Sequence, residues 1–194
     1  MKQDNVLKWM QYDTEKMVAS NTWVRSSKGT DSRAYKMHKA IAEAFVYSGS
    51  YELEIPTNAI RKSHELDILL DGKIAMPVKY PHGSMGKNIG NYIPGYIKEA
   101  LELLQLNEIS DVVILNLMNK YILSGEDGQI MLNRINPLDY IRGLLPDYAD
   151  KIHCISILGW NNSKEETPSY LVTTTEINNE TLERRLFKTT TTNT

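Results

Sequence analysis

The sequence predicts an α/β fold, a central mixed β-sheet flanked by helices, and three observations carry that prediction. Two segments with helical spacing open the chain. A hairpin signal follows, Asp71-Gly72 between the strand-like runs HELDILL and KIAMPVKY. Beyond it two apolar runs rich in β-branched residues, DVVILNLM and IHCISIL, alternate with helical segments, as buried strands do in layered sheets.

From Val6 to about Ala19, the residues Val6, Leu7, Met10, Met17 and Val18 fall near helical spacing, with Asp4 placed to cap. A polar stretch, NTWVRSSKGTDS, leads to a second helix, RAYKMHKAIAEAFVYS. Asp31 or Ser32 caps it, Ala34, Met37, His38, Ile41 and Phe45 form its apolar side, and Gly49 stops it. On that side His38 reads as a packing histidine. YELEIPTNAI gives a short strand ended by Pro56. Asp71-Gly72 then suits a type I′ turn, whose two central residues both need positive φ. PHGSMGKNIGN reads as a loop, and YIPGYIKEALELLQL as a helix with Pro94 and Gly95 near its start. DVVILNLM follows as a buried strand, and KYILSGEDGQIML as a hairpin-like element around Glu126-Asp127-Gly128. NPLDYIRGLL is a short helix, KIHCISILGW another buried strand, and TTTTNT a polar, disordered end. There is no internal repeat and no linker long enough to divide the chain. Residues 1–188 are expected to form a single domain, with 189–194 a tail.

The bulk properties exclude several classes. A net charge of −2 gives no global footprint for nucleic acid, so any DNA contact must come from a local basic patch. One cysteine, Cys154, can build neither a disulfide framework nor a cysteine metal site, and it reads as a small buried hydrophobe. The N-terminus lacks a long apolar core, and no run approaches the roughly 18 apolar residues of a membrane span. A cytoplasmic protein without a membrane partner is expected. His38, His64, His82 and His153 show no zinc spacing. No Gly-rich dinucleotide fingerprint, P-loop or nucleophile elbow occurs.

The hairpin carries the chemistry. Side chains alternate along a strand, so Glu65, Asp67 and Leu69 share one face, and Ala75, Pro77 and Lys79 share another. Across the turn Asp67 and Lys79 can meet. A divalent cation takes hard oxygen ligands, which Asp67 and Glu65 offer, and an adjacent lysine can orient a water and stabilise charge on a phosphate. The same residues equally fit a surface hairpin with a cross-strand ion pair contributing well under about 1 kcal/mol.

An acid followed by a hairpin and a strand ending in lysine resembles the PD-(D/E)xK nuclease superfamily, where an acid usually stands two before the lysine. Here that place is Pro77. The longer stretch MPVKYPHGSMGKNIGNYIPGYIKEALEL is similar to a variant among type II restriction endonucleases, in which a following helix returns the missing glutamate. The matching features are Pro77-Val78-Lys79, Lys87-Asn88, Asn91-Tyr92 and Glu99. They cover about 30 residues, or about 40 with Glu65 and Asp67. The resemblance implies a restriction-endonuclease-like sheet and a Mg²⁺-dependent endodeoxyribonuclease, Mn²⁺ substituting. Asp67 and Glu99 would bind the metal, Lys79 would orient the attacking water, and Glu65 or Glu43 would assist. Glu99 shares a face with Glu102 and lies beside the stripe of Ile97, Leu101 and Leu104, so it can turn inward or towards water. Glu43 can instead pair with Lys39 on its own helix.

DNA contacts fall to two stretches. His82, Ser84, Lys87, Asn88 and Asn91 lie among Gly83, Gly86 and Gly90, where the backbone can approach a phosphate closely. Arg25, Lys28 and Arg33 form the second, beside Trp23. A flexible loop and a solvated linker are the plain alternatives. The resemblance further implies double-stranded DNA as substrate, a homodimer matching a palindrome, and a companion DNA methyltransferase. A repair or junction-resolving nuclease of the same fold, an inactive DNA-binding or assembly protein on that scaffold, and an α/β protein of unrelated function remain open.

Overall fold

The computed structural model describes residues 3–20, 32–45, 49–57, 64–80, 85–119, 143, 145–160, 167–177 and 179–187. Helices α1 (Gln3–Ser20) and α2 (Arg33–Phe45) precede strands β1 (Tyr51–Thr57), β2 (His64–Leu70), β3 (Ile74–Met76) and β4 (Val78–Lys79). Helix α3 (Met85–Leu103) leads to β5 (Asp111–Asn119), followed by β6 (Ile152–Trp160), β7 (Tyr170–Glu176) and α4 (Glu180–Phe187). The strands form one seven-stranded sheet in the order β1-β2-β3-β5-β6-β7, with β4 continuing beside β5 after Pro77. β3, β4 and β6 run parallel to β5, while β1, β2 and β7 join by antiparallel pairing. The fold is a mixed-sheet α/β architecture.

Period-two alternation in β5 divides the core between two faces. Val113, Leu115 and Leu117 pack with Val6 and Met10 of α1, Met37, Ile41 and Phe45 of α2, and Leu182 and Leu186 of α4. Val112, Ile114 and Met118 pack with Tyr96, Ile97, Ala100 and Leu103 of α3. The helices therefore cover both sides of the sheet. The predicted stripe of α3 is rotated: Ile97 is buried, whereas Leu101 and Leu104 are only half-buried and Tyr96, Ala100 and Leu103 carry the contact.

Local signals explain several boundaries. Ser32 Oγ accepts the Tyr35 N–H at 2.9 Å and caps α2. Ala34, expected on the apolar side of that helix, is exposed. Asp71 (φ 50°) and Gly72 (φ 68°) form the turn, closed by the Lys73 N–H to the Leu70 carbonyl at 3.1 Å, as type I′ geometry requires. Asp71 also accepts the Ser50 N–H at 2.9 Å and pairs with Arg185 of α4. A Cβ on Gly49 would overlap that carboxylate, so glycine is needed there for close approach.

Three expectations are corrected. Pro56 lies inside β1 and does not end it, which is tolerable because β1 ends the strand order and a proline there need not interrupt a central ladder. α3 starts at Met85, so most of the stretch read as a loop is helical, and Pro94 and Gly95 sit within the helix. Both are exposed, so neither interrupts the buried face. β7 and α4 were not foreseen. The elements expected around 126–128 and at most of 136–145, and the tail 189–194, lie outside the described residues.

At the start of β6 the buried His153 lies 3.3 Å from Asp111 Oδ1. Burial lowers its pKa from 6.5 more than Asp111 raises it. Below that value the unfolded chain binds more protons than the folded one, so stability must fall as pH drops from 6.5 towards the lower folded value. His153→Gln is expected to reduce that slope, read as the difference in Tm between neutral pH and about pH 5. An unchanged slope would show that other groups govern the acid response.

Candidate functional site

Pro77 shapes the site's backbone. Its carbonyl accepts the Leu115 N–H at 3.0 Å, so the chain stays docked on β5 through the break between β3 and β4. On the other side the β2–β3 ladder ends at the pair Ile68 and Met76. Beyond that pair the Val78 N–H donates to the Asp67 side chain, with 2.7 Å to Oδ2. The carboxylate thus continues the ladder in place of a backbone carbonyl, which fixes one oxygen and leaves Oδ1 facing α2.

From one face of the sheet α3 brings Glu99, whose Oε2 pairs with Lys79 Nζ. Both side chains are largely enclosed, 14% and 17% exposed. Tyr96, one turn earlier, places its ring centroid 5.7 Å from the ammonium, a cation–π contact. Burial, then Tyr92 and Glu99, push the Tyr96 phenol upward, so it stays protonated. From the other face α2 brings the buried His38, with Nε2 3.7 Å from Asp67 Oδ1 and Nδ1 3.8 Å from Glu54 Oε1. Lys79 stands at the carboxyl end of β4, the end of a parallel strand where open α/β sheets place their ligand crevices.

Charge is concentrated here at low exposure. Burial pushes the Asp67 carboxyl above its ordinary value; His38, Lys79 and the Val78 N–H pull it down without cancelling that effect, and Glu99 adds to it. Burial likewise holds His38 low, with Lys79 acting in the same sense and Asp67 opposing. Glu54 is raised by burial, then by Glu65 and Asp67. A cation at Asp67 would relieve its cost of burial by favouring the ionised carboxylate.

The structure brings Asp67, Lys79 and Glu99 together and places the exposed Glu65 close enough to act on Glu54. The α2 side chain that faces Asp67 is His38. Glu43 is engaged by Lys39 at 3.9 Å and by the Tyr51 hydroxyl at 3.3 Å. Glu102, on the face of Glu99, lies 3.8 Å from Lys98. Arg33 turns inward: its guanidinium pairs with Asp13, which is fully enclosed, and the Tyr80 hydroxyl donates to the same carboxylate at 3.1 Å. This inward pairing does not favour Arg33 as a phosphate contact. Arg25, Lys28, His82 and Ser84 lie outside the described residues. Lys87, Asn88 and Asn91 fall within α3, and their side chains lie outside the described set.

The sequence reading gave His38 only a packing role and passed over Glu54 and Tyr96. A histidine on an apolar helix face was the single available signal for the first. Nothing local marks Glu54, which is set apart by a backbone φ of 51° that only the folded chain reveals.

Among the described residues no group of three His, Cys, Asp or Glu side chains forms a ready-made ligand set. Two carboxylates beside a lysine still suit Mg²⁺, which keeps several waters and is held through one or two carboxylates plus substrate phosphate. No protein-family model matches this chain, and neither does any curated protein or solved structure.

Proposed function

We propose that the chain is a Mg²⁺-dependent, sequence-specific endodeoxyribonuclease resembling type II restriction enzymes, acting on double-stranded DNA as a homodimer. One observation carries the reading: Glu99 of α3 meets Lys79 of β4, beside Asp67, on a strand whose usual acidic position is Pro77. A metal responds to where a carboxylate oxygen sits, whichever element supplies it. Asp67 and Glu99 would hold Mg²⁺, which supplies Lewis acidity towards a phosphodiester oxygen and a bound water of lowered pKa.

The remaining work falls to the chain's own groups. The Lys79 ammonium, steadied by Glu99 and the face of Tyr96, orients a water and stabilises the negative charge that develops on phosphorus oxygens. The Val78 N–H keeps Asp67 in register with Lys79. The low exposure of both residues strengthens these interactions relative to open water.

The test is incubation of phage and plasmid DNAs with Mg²⁺ or Mn²⁺, comparing the native chain with Glu99→Ala. Discrete fragments from the native protein, reduced about 10²-fold or more in the variant, are expected. Cutting that survives Glu99→Ala would remove the helix glutamate from the site. Cutting confined to junctions or damaged DNA would assign the same chemistry to repair. Absence of metal-dependent cutting would favour a binding protein on this scaffold.

A further inference from the structure

Asp67 is held at one oxygen by the Val78 N–H, and its other oxygen faces His38. That histidine is only 5% exposed, and its Nδ1 is buried without a hydrogen-bond partner among the described residues, 3.8 Å from Glu54 Oε1. The ring therefore has a carboxylate near each nitrogen, one from β2 and one from β1. Both separations exceed a hydrogen bond, and a neutral ring donates from one nitrogen and accepts at the other, so the confinement of the ring and small closures at each end hold the line together.

Glu54 occupies its place at a cost. Its φ of 51° lies in the left-handed region, which non-glycine residues rarely adopt, and it falls between the ladder pairs Leu53–Ile68 and Ile55–Leu66, directly across from Asp67. A strained residue persists where its surroundings over-determine it, and such strain gathers at functional sites. Here the strain turns a carboxylate of the edge strand towards His38. The sheet would form with any residue at 54; a glycine would form it with less strain.

We propose that His38 is a positioning residue for Asp67 and that Glu54 acts through it. This rests on the reading of Asp67 and Glu99 as carboxylates that take a divalent cation. His38 presents Nε2–H to Asp67 Oδ1, and the Glu54 carboxyl, carrying its proton, donates to the opposite nitrogen and fixes the ring, so the Asp67 carboxylate keeps one orientation when an ion arrives. Outer partners of this kind typically alter metal affinity by 10–100-fold without touching the ion. The arrangement also explains why α2 buries a histidine at a place where an apolar residue would pack more cheaply.

The experiment is titration of the DNA-free protein with Mn²⁺ alone, read by the electron paramagnetic resonance of the free ion, with a thermal melt for each variant. The native chain should bind Mn²⁺ and Asp67→Ala should abolish it. His38→Ala should raise Kd by about 10–100-fold, and His38→Gln, which keeps a donor near Nε2, should recover most of the loss. Glu54→Gly should melt no lower than the native chain yet weaken binding, and should add little to His38→Ala, because Glu54 acts through the ring. Kd unchanged in His38→Ala while Asp67→Ala loses the ion would overturn the positioning role and leave the metal site standing. Equal losses in His38→Gln and His38→Ala would also overturn it, marking a nitrogen bound to the ion itself. A native chain that binds no Mn²⁺ would overturn both this role and the metal reading beneath it.

Discussion

Lys79→Ala is expected to lower metal-dependent DNA cleavage by about 10²–10⁴-fold while leaving Mn²⁺ binding equal or tighter. On the proposed mechanism the two effects separate because the lysine and the carboxylates have different tasks. The ammonium pairs with Glu99 and lies close enough to Asp67 to favour its ionised form. Under that mechanism its removal would take the positive charge from the reacting phosphate. The same change takes away the ammonium that pairs with Glu99 and favours the ionised Asp67, so a divalent ion meets less competition for the two acids. Single-turnover cleavage and Mn²⁺ titration on the same preparations measure both halves. A variant that loses cleavage and metal affinity together would make Lys79 a structural prop for Glu99. One that keeps cleavage would remove the lysine from the chemistry.

Asp13→Ala is expected to destabilise the protein by about 3–5 kcal/mol, a large part of the roughly 5–15 kcal/mol that holds a domain together. Asp13 is fully enclosed, pairs with Arg33 across the α1–α2 contact, and accepts the Tyr80 hydroxyl. Truncation removes the carboxylate that pairs with the largely buried Arg33 guanidinium and accepts the Tyr80 hydroxyl. Replacing both charges, Asp13→Leu with Arg33→Met, should recover much of the loss, since buried ion pairs often tolerate apolar substitution better than they tolerate being halved. Urea denaturation of the two variants decides the matter. If the double change is as costly as the single one, the Tyr80 bond and not the ion pair is what matters. Tyr80 directly follows Lys79, and its ring meets Trp9 of α1 edge-on at 5.4 Å. The N-terminal helices therefore brace the strand end that carries the lysine.

Much of the fold was legible because its signals are local. Asp71-Gly72 announced its turn through backbone sterics, the run DVVILNLM announced a strand buried on both faces, and Ser32 announced a helix cap. β7 escaped because YLVTTTE is polar and half-buried and lacks the apolar run that marked the two central strands. α3 was entered too late because Gly83, Gly86 and Gly90 read as loop and Pro94 as a helix start, whereas burial of Tyr96, Ile97, Ala100 and Leu103 overrides that propensity. The site was legible only in part. Asp67 and Lys79 could be paired through the hairpin's alternation, and Glu99 through its helix. His38 and Glu54 depend on which helix crosses which strand, and on a left-handed backbone at one position, neither of which a linear pattern encodes.

If Glu99 does the work of an acid at position 77, as proposed, the meeting of side chains from α2, β1, β2, β4 and α3 has an evolutionary consequence. Where a required oxygen can arrive from either a strand or a helix, a chain carrying both acids keeps its chemistry if either one is lost. Drift could then move the acid from position 77 to 99, or back, without passing through a dead ancestor. Two descendants would share a three-dimensional arrangement and no common linear signature, so kinship among such proteins is better sought in where atoms lie than in the order of letters.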